Sequence, residues 1–77
     1  MAASHVRNNI RRQRFEAGEM TQQALADAIG VTRQTVAAIE KEKYSPSLEV
    51  AFKIAAVFGQ PLEAVFSYDA PREETDG

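Results

Sequence analysis

Gly18, Gly30, Pro46, Gly59 and Pro61 cut the stretch from Val6 to Phe66 into short segments, so the chain is limited to brief elements joined by tight connections. With 77 residues, 44% of them hydrophobic, there is apolar material for one core and no length for a second. A chain this short buries only about 60% of its unfolded surface. Having no cysteine, it gains nothing from disulfides or a thiolate metal site, and a partner subunit is the expected further source of stability. No apolar run approaches the roughly 18 residues of a membrane span. Met1–Ser4 lacks the charged-then-apolar pattern of a signal sequence, so a cytoplasmic location is expected.

The segments read as five helices. The first, Val6 to Ala17, sets Val6, Ile10 and Phe15 toward one face and its arginines elsewhere, and stops at Gly18. The second opens at the N-cap Thr21, spaces Ala24, Leu25, Ala28 and Ile29 helically, and closes at Gly30. The third opens at Thr32, turns Val36 and Ile39 inward, and runs out at Glu40-Lys41-Glu42-Lys43. Between these two, Gly30-Val31-Thr32 leaves only a tight corner, which Val31 can plug, and that spacing predicts a helix-turn-helix unit. Ser47 caps a fourth helix that is apolar around nearly its whole circumference, interrupted by Glu49 and Lys53, and so calls for cover on every side. Pro61 suits the first turn of a short fifth helix carrying Leu62, Val65 and Phe66, although the alternation in Val65-Phe66-Ser67-Tyr68 fits a short C-terminal strand equally well. The expected organisation is a flexible start over residues 1–5, an all-α domain over 6–68, and a disordered acidic tail over 69–77.

Charge is unevenly placed. The formal net charge is −2, from 9 Lys+Arg and 11 Asp+Glu. Residues 69–77 hold Arg72 against Asp69, Glu73, Glu74 and Asp76; without them the counts fall to 8 basic and 7 acidic. Arg7, Arg11, Arg12 and Arg14 meet no acid within the first fourteen residues. Local sign, not net charge, decides what such a surface attracts.

The inventory of reactive groups argues against an enzyme. His5 is the single histidine, so neither a metal cluster nor a Ser/His/Asp arrangement can be assembled in one chain. The glycines lie too far apart for a phosphate loop, and Glu16, Glu19, Glu42, Glu49 and Glu63 read as solvated helix faces and ends. No catalytic residue, metal, cofactor or small-molecule ligand is expected.

The third helix has an outer face of a different kind. With Val36 and Ile39 inward, it presents Arg33, Gln34, Thr35, Ala37 and Ala38 where a solvated helix normally shows Glu and Lys. A guanidinium and a carboxamide match guanine O6/N7 and adenine N6/N7 in the major groove, and small Ala37 and Ala38 permit close approach or contact with a thymine methyl. A capped helix start with arbitrary polar residues is the plain alternative. Residues 22–41, with the opening Thr21 to Ala26, small Ala26, Gly30 in the turn, Val31-Thr32-Arg33-Gln34-Thr35-Val36 and the pair Ile39-Glu40, resemble the XRE-type (Cro/phage-repressor-like) transcriptional regulators. The similarity runs through Lys43-Tyr44-Ser45-Pro46-Ser47-Leu48 to Pro61–Asp69 and is greatest to small members without an effector domain. One departure is visible: Gly18-Glu19-Met20-Thr21 is a residue longer than the commonest link between the first two helices.

The resemblance implies a DNA-binding transcriptional regulator, expected to repress by blocking promoter access; the apolar fourth helix adds the expectation of a homodimer, whose two-fold symmetry makes the operator palindromic. The resemblance places Gln22 beside the phosphate backbone or against Gln34, and pairs Arg14 with Glu40 in a structural ion pair. Thr21 and Thr32 serve as caps or phosphate contacts at helix N-termini. Lys41, Lys43 and Tyr44 should flank the groove, with Arg11 and Asn9 as weaker candidates. Leu62, Val65, Phe66 and Tyr68, with the fourth helix, form the expected dimer surface. Two other roles use the same fold: an antitoxin that masks a toxin with its acidic end, and a protein-interaction module that binds no DNA.

Overall fold

A computed structural model describes residues 5–69. In chain order these form β1 (Val6–Asn8), α1 (Ile10–Glu16), α2 (Gln22–Ile29), α3 (Arg33–Glu40), α4 (Leu48–Val57), α5 (Leu62–Val65) and β2 (Phe66–Tyr68). The five helices are present, and so is the C-terminal strand. No described helix is long and apolar enough to cross a membrane.

The start of the chain departs from the all-helical reading. Val6–Asn8 is a strand, pairing antiparallel with β2 in the register Val6↔Tyr68, Arg7↔Ser67 and Asn8↔Phe66. The i, i+4 spacing of Val6 and Ile10 imitates a helix, but the Asn8 side chain accepts from the Ile10 N–H at 3.0 Å and fixes the helix start there. With α1 starting at Ile10, its inward positions are Ile10 and Gln13, whereas Phe15 is 67% exposed. The tail boundary moves as well. Asp69 belongs to the fold: its N–H donates to the His5 carbonyl at 2.8 Å, and its carboxylate pairs with Arg7 at 3.1 Å. The rest of the acidic tail, residues 70–77, and residues 1–4 lie outside the described part.

Three helices are capped as their sequences require. Thr21, Thr32 and Ser47 accept from the N–H groups of Ala24, Thr35 and Val50. Gly30 closes α2 at φ +79, where a side chain would be strained even though open space surrounds its Cα. The corner it makes sends α3 across α2, and Leu25, Ala26 and Ile29 join Val36 and Ile39 in one buried cluster with Ile10, Ile54 and Val65. Ala26 is fully buried where the two helices cross, so its small size sets their separation. Ala24 and Ala28 face outward. Helix α4 buries only Ala51, Ile54 and Ala55; Leu48 is 66% and Phe52 53% exposed, so one chain does not cover it on every side.

Candidate nucleic-acid interface

Helix α3 is divided lengthwise. Val36 and Ile39 are buried at 1% and 0% exposure, while Arg33 and Gln34 are exposed and Thr35, Ala37 and Ala38 half-buried beside them. Arg33, Ala37 and Lys41 follow one another at i, i+4 and i+8, with Gln34 and Ala38 forming the adjacent row. Thr32 is committed as a cap, and its hydroxyl also meets the Thr35 hydroxyl at 3.0 Å.

Four cations of the described residues carry no ion pair within that set: Arg11, Arg33, Lys41 and Lys43. The other four are matched to acids, Arg7 with Glu42 and Asp69, Arg12 with Glu16, Arg14 with Glu40, and Lys53 with Glu49. All four of these cations are candidates read from the sequence, Arg11 as a weaker one. Tyr44, next in the chain, is 52% exposed. A cleft of about 400 Å³ lined by Arg11, Arg14, Gln22, Glu40 and Lys41 brings the start of α2 beside the end of α3.

Gln22 does not meet Gln34 in this structure. Its amide donates to Glu40 Oε1 at 3.2 Å, on the carboxylate that Arg14 also holds. Arg14 Nε donates to Glu40 Oε2 at 2.6 Å and Nη2 to Oε1 at 3.1 Å, a bidentate pair. The long link after α1 does not pull Arg14 away. Arg14 Nη1 donates to the Met20 carbonyl at 2.8 Å, and Met20 N–H donates back to the Arg14 carbonyl at 2.9 Å, so the link is tied to the same arginine. The Asn9 amide donates to the Ala64 carbonyl at 3.0 Å, which ties this residue to α5.

The far end of α3 is fixed by Glu42, which was expected to be solvated, together with Arg7 and Asn8. Glu42 stands at φ +62, with its N–H donating to Ile39 O and that of Lys43 to Ala38 O, a Schellman closure built on glutamate where glycine is usual. Its carboxylate accepts from Arg7 Nη1 at 2.9 Å and from the Asn8 N–H at 3.2 Å. The Asn8 amide donates to the Ile39 carbonyl at 2.8 Å. The Arg7 guanidinium is held above its ordinary pKa, first by the hydrogen bond to Glu42 and then by that to Asp69. The signal that was available is Asn8-Asn9 ahead of an apolar residue, a helix-start pattern rather than a helix interior.

Of the expected dimer residues, Val65 needs correction. It is 2% exposed and closes the chain's own core, so it offers no surface to a second chain. Phe66 packs against that core and Leu62 is half-buried, whereas Tyr68 is 67% exposed, its ring steeply inclined to that of His5.

A two-helix corner with a polar, partly cationic outer helix is the arrangement by which helix-turn-helix proteins are defined. Residues 12–65 match the helix-turn-helix family, and the chain belongs to it. It is 56% identical over 50 residues to an uncharacterized HTH-type transcriptional regulator of Methanocaldococcus jannaschii, covering 65% of this chain and 76% of that one. A second such regulator, from Archaeoglobus fulgidus, is 47% identical over 64 residues, 83% of this chain and 90% of its own. One from Bacillus subtilis is 46% identical over 61 residues, 79% of this chain and 91% of its own. A solved structure from Bacteroides fragilis shares the fold, with a TM-score of 0.71 at 22% identity over 80% of this chain and 98% of that one.

Proposed function

We propose that this chain is a sequence-specific DNA-binding transcriptional regulator that reads a palindromic operator as a homodimer and represses by occupying it. The observation that carries the reading is the division of α3: its apolar edge is sealed in the core while Arg33 and Gln34 stand exposed and unpaired among the described residues at its first turn. In the major groove Arg33 would donate to guanine O6/N7 and Gln34 would bond adenine bidentately. Lys41, Lys43 and Tyr44 flank that row and, with Arg11 and the Thr21 and Thr32 turns, would hold phosphates. Gln22 and Glu40 support the site from behind through Arg14.

The dimer is supported by α4, whose outward positions Leu48, Phe52 and Ala56 form an apolar stripe left uncovered in one chain. Two-fold pairing would set the two α3 helices roughly 34 Å apart in successive major grooves. The names of the relatives point the same way. The test is a titration of duplex DNA at rising salt: binding is expected to weaken steeply as phosphate contacts are screened. Duplex that is not retained even at low salt would sink the reading.

A further inference from the structure

The run Glu40-Lys41-Glu42-Lys43 alternates in sign and would cancel itself if its acids faced its own lysines. Neither acid is left to do so. Glu40 is held by Arg14 of α1, and Glu42 by Arg7 of β1 at 2.9 Å. Two arginines from the start of the chain thus take both carboxylates, and Lys41 and Lys43 stand exposed with no ion pair among the described residues. The two arginines differ in setting. Arg14 and Glu40 are nearly buried, whereas Arg7 and Glu42 meet at the surface, with side chains 44% and 25% exposed. A surface pair adds little stability, so what Arg7 chiefly contributes there is charge. Its guanidinium also reaches Asp69 at 3.1 Å, and among the described residues no other cation pairs with either acid.

We infer that Arg7 is a positioning residue for DNA binding: it holds the Glu42 carboxylate and cancels its charge, leaving Lys41 and Lys43 to phosphates. This deepens the DNA-binding reading and rests on it. Glu42 stands just past the end of α3, where the helix dipole is negative and the last turn has no basic residue of its own. A carboxylate there needs a cation from another element, and the strand pairing of β1 with β2 brings Arg7 to it. Consecutive Cα atoms lie about 3.8 Å apart, which keeps an uncompensated Glu42 within roughly the Debye length, about 10 Å at 0.1 M salt, of both neighbouring ammonium groups. The Asn8 N–H donates to the second carboxylate oxygen at 3.2 Å, so loss of Arg7 alone leaves Glu42 at this edge with its charge set against the two lysines.

The test measures duplex affinity against salt for the native chain, Arg7→Gln, Arg7→Lys, Arg7→Gln/Glu42→Gln and Arg7→Gln/Glu16→Gln. Both double variants have the native net charge, but Glu16 lines a hollow with Phe58 and Gln60 instead of neighbouring the lysines. Arg7→Gln should bind about 3- to 10-fold more weakly at about 50 mM salt, with a shallower salt slope, and the difference should close near 0.5 M. Arg7→Lys, which keeps a cation beside Glu42, and Arg7→Gln/Glu42→Gln should bind as the native chain does, while Arg7→Gln/Glu16→Gln should stay with the single variant. Equal recovery in both double variants would reduce the effect to net charge. No recovery with Glu42→Gln, a loss in Arg7→Lys equal to that in Arg7→Gln, or an Arg7→Gln chain that does not fold would make Arg7 a structural tie. Any of these overturns the inference while leaving DNA binding intact. Without DNA, the Cε resonances of Lys41 and Lys43 should shift in Arg7→Gln and return in Arg7→Gln/Glu42→Gln. Should the native chain hold no duplex, the DNA-binding reading fails, and unmoved lysine resonances would overturn the role of Arg7 in setting this local charge as well.

Discussion

Arg14 of α1 holds Glu40 at the end of α3 through a bidentate pair whose side chains are only 15% and 9% exposed, and the same guanidinium reaches the Met20 carbonyl. One side chain thereby joins α1, the link after it and α3. A pair so nearly buried need not add stability over apolar residues, but deleting one member strands the other. Glu40→Leu is expected to cost about 3–5 kcal/mol, with Arg14→Met/Glu40→Leu losing less than Arg14→Met and Glu40→Leu together. Urea unfolding of the four proteins measures the coupling. Additive losses would show that the two groups act separately.

Glu42 offers a test of local strain. At φ +62 an L-residue pays roughly 1 kcal/mol that glycine avoids, and the Arg7 and Asn8 bonds offset it. Replacing the side chain removes those bonds in either case, so Glu42→Gly should be about 1 kcal/mol more stable than Glu42→Ala. Thermal unfolding of the pair would show the order. An alanine variant at least as stable as the glycine variant would contradict the account of this closure.

The local signals were the legible ones. Thr21, Thr32, Ser47 and Gly30 announce helix ends through chemistry contained in a few neighbouring residues, and the outward row of α3 follows once Val36 and Ile39 are placed inside. Arg14–Glu40 was legible through family resemblance, because no spacing rule connects positions 26 apart. What stayed hidden is non-local. Val6–Asn8 pairs with residues at the other end of the chain, and a three-residue strand carries too short an alternation to outweigh the Val6–Ile10 spacing. Glu42 was hidden for a different reason: αL closure is signalled by glycine, and here a carboxylate held by Arg7 and Asn8 replaces that signal. Val65 looked available for a partner because apolar content alone does not tell a core residue from an interface residue.

Association should show in sedimentation at micromolar concentration, where a dimer is expected. Phe52→Asp, at a position 53% exposed in one chain, should shift the protein toward monomer with little loss of fold, within about 0.5 kcal/mol for a surface change. A native protein that sediments as a monomer would remove both the dimer and the palindromic operator.

Lys41 and Arg33 should fail differently. Lys41→Ala is expected to weaken binding to all duplexes alike and to reduce the salt slope by about 1, as loss of a phosphate contact requires. A sequence-dependent loss would instead place Lys41 against a base.

The central claim, that the first turn of α3 reads base edges, is tested most directly by selecting bound duplexes from a random pool with the native protein and with Arg33→Ala. The native chain should enrich one motif, and the variant should lose preference at a single base pair in each half-site, at a cost of about 1–3 kcal/mol, while keeping the rest. Enrichment of the same motif at the same strength by both proteins, or of no motif by the native chain, would contradict it.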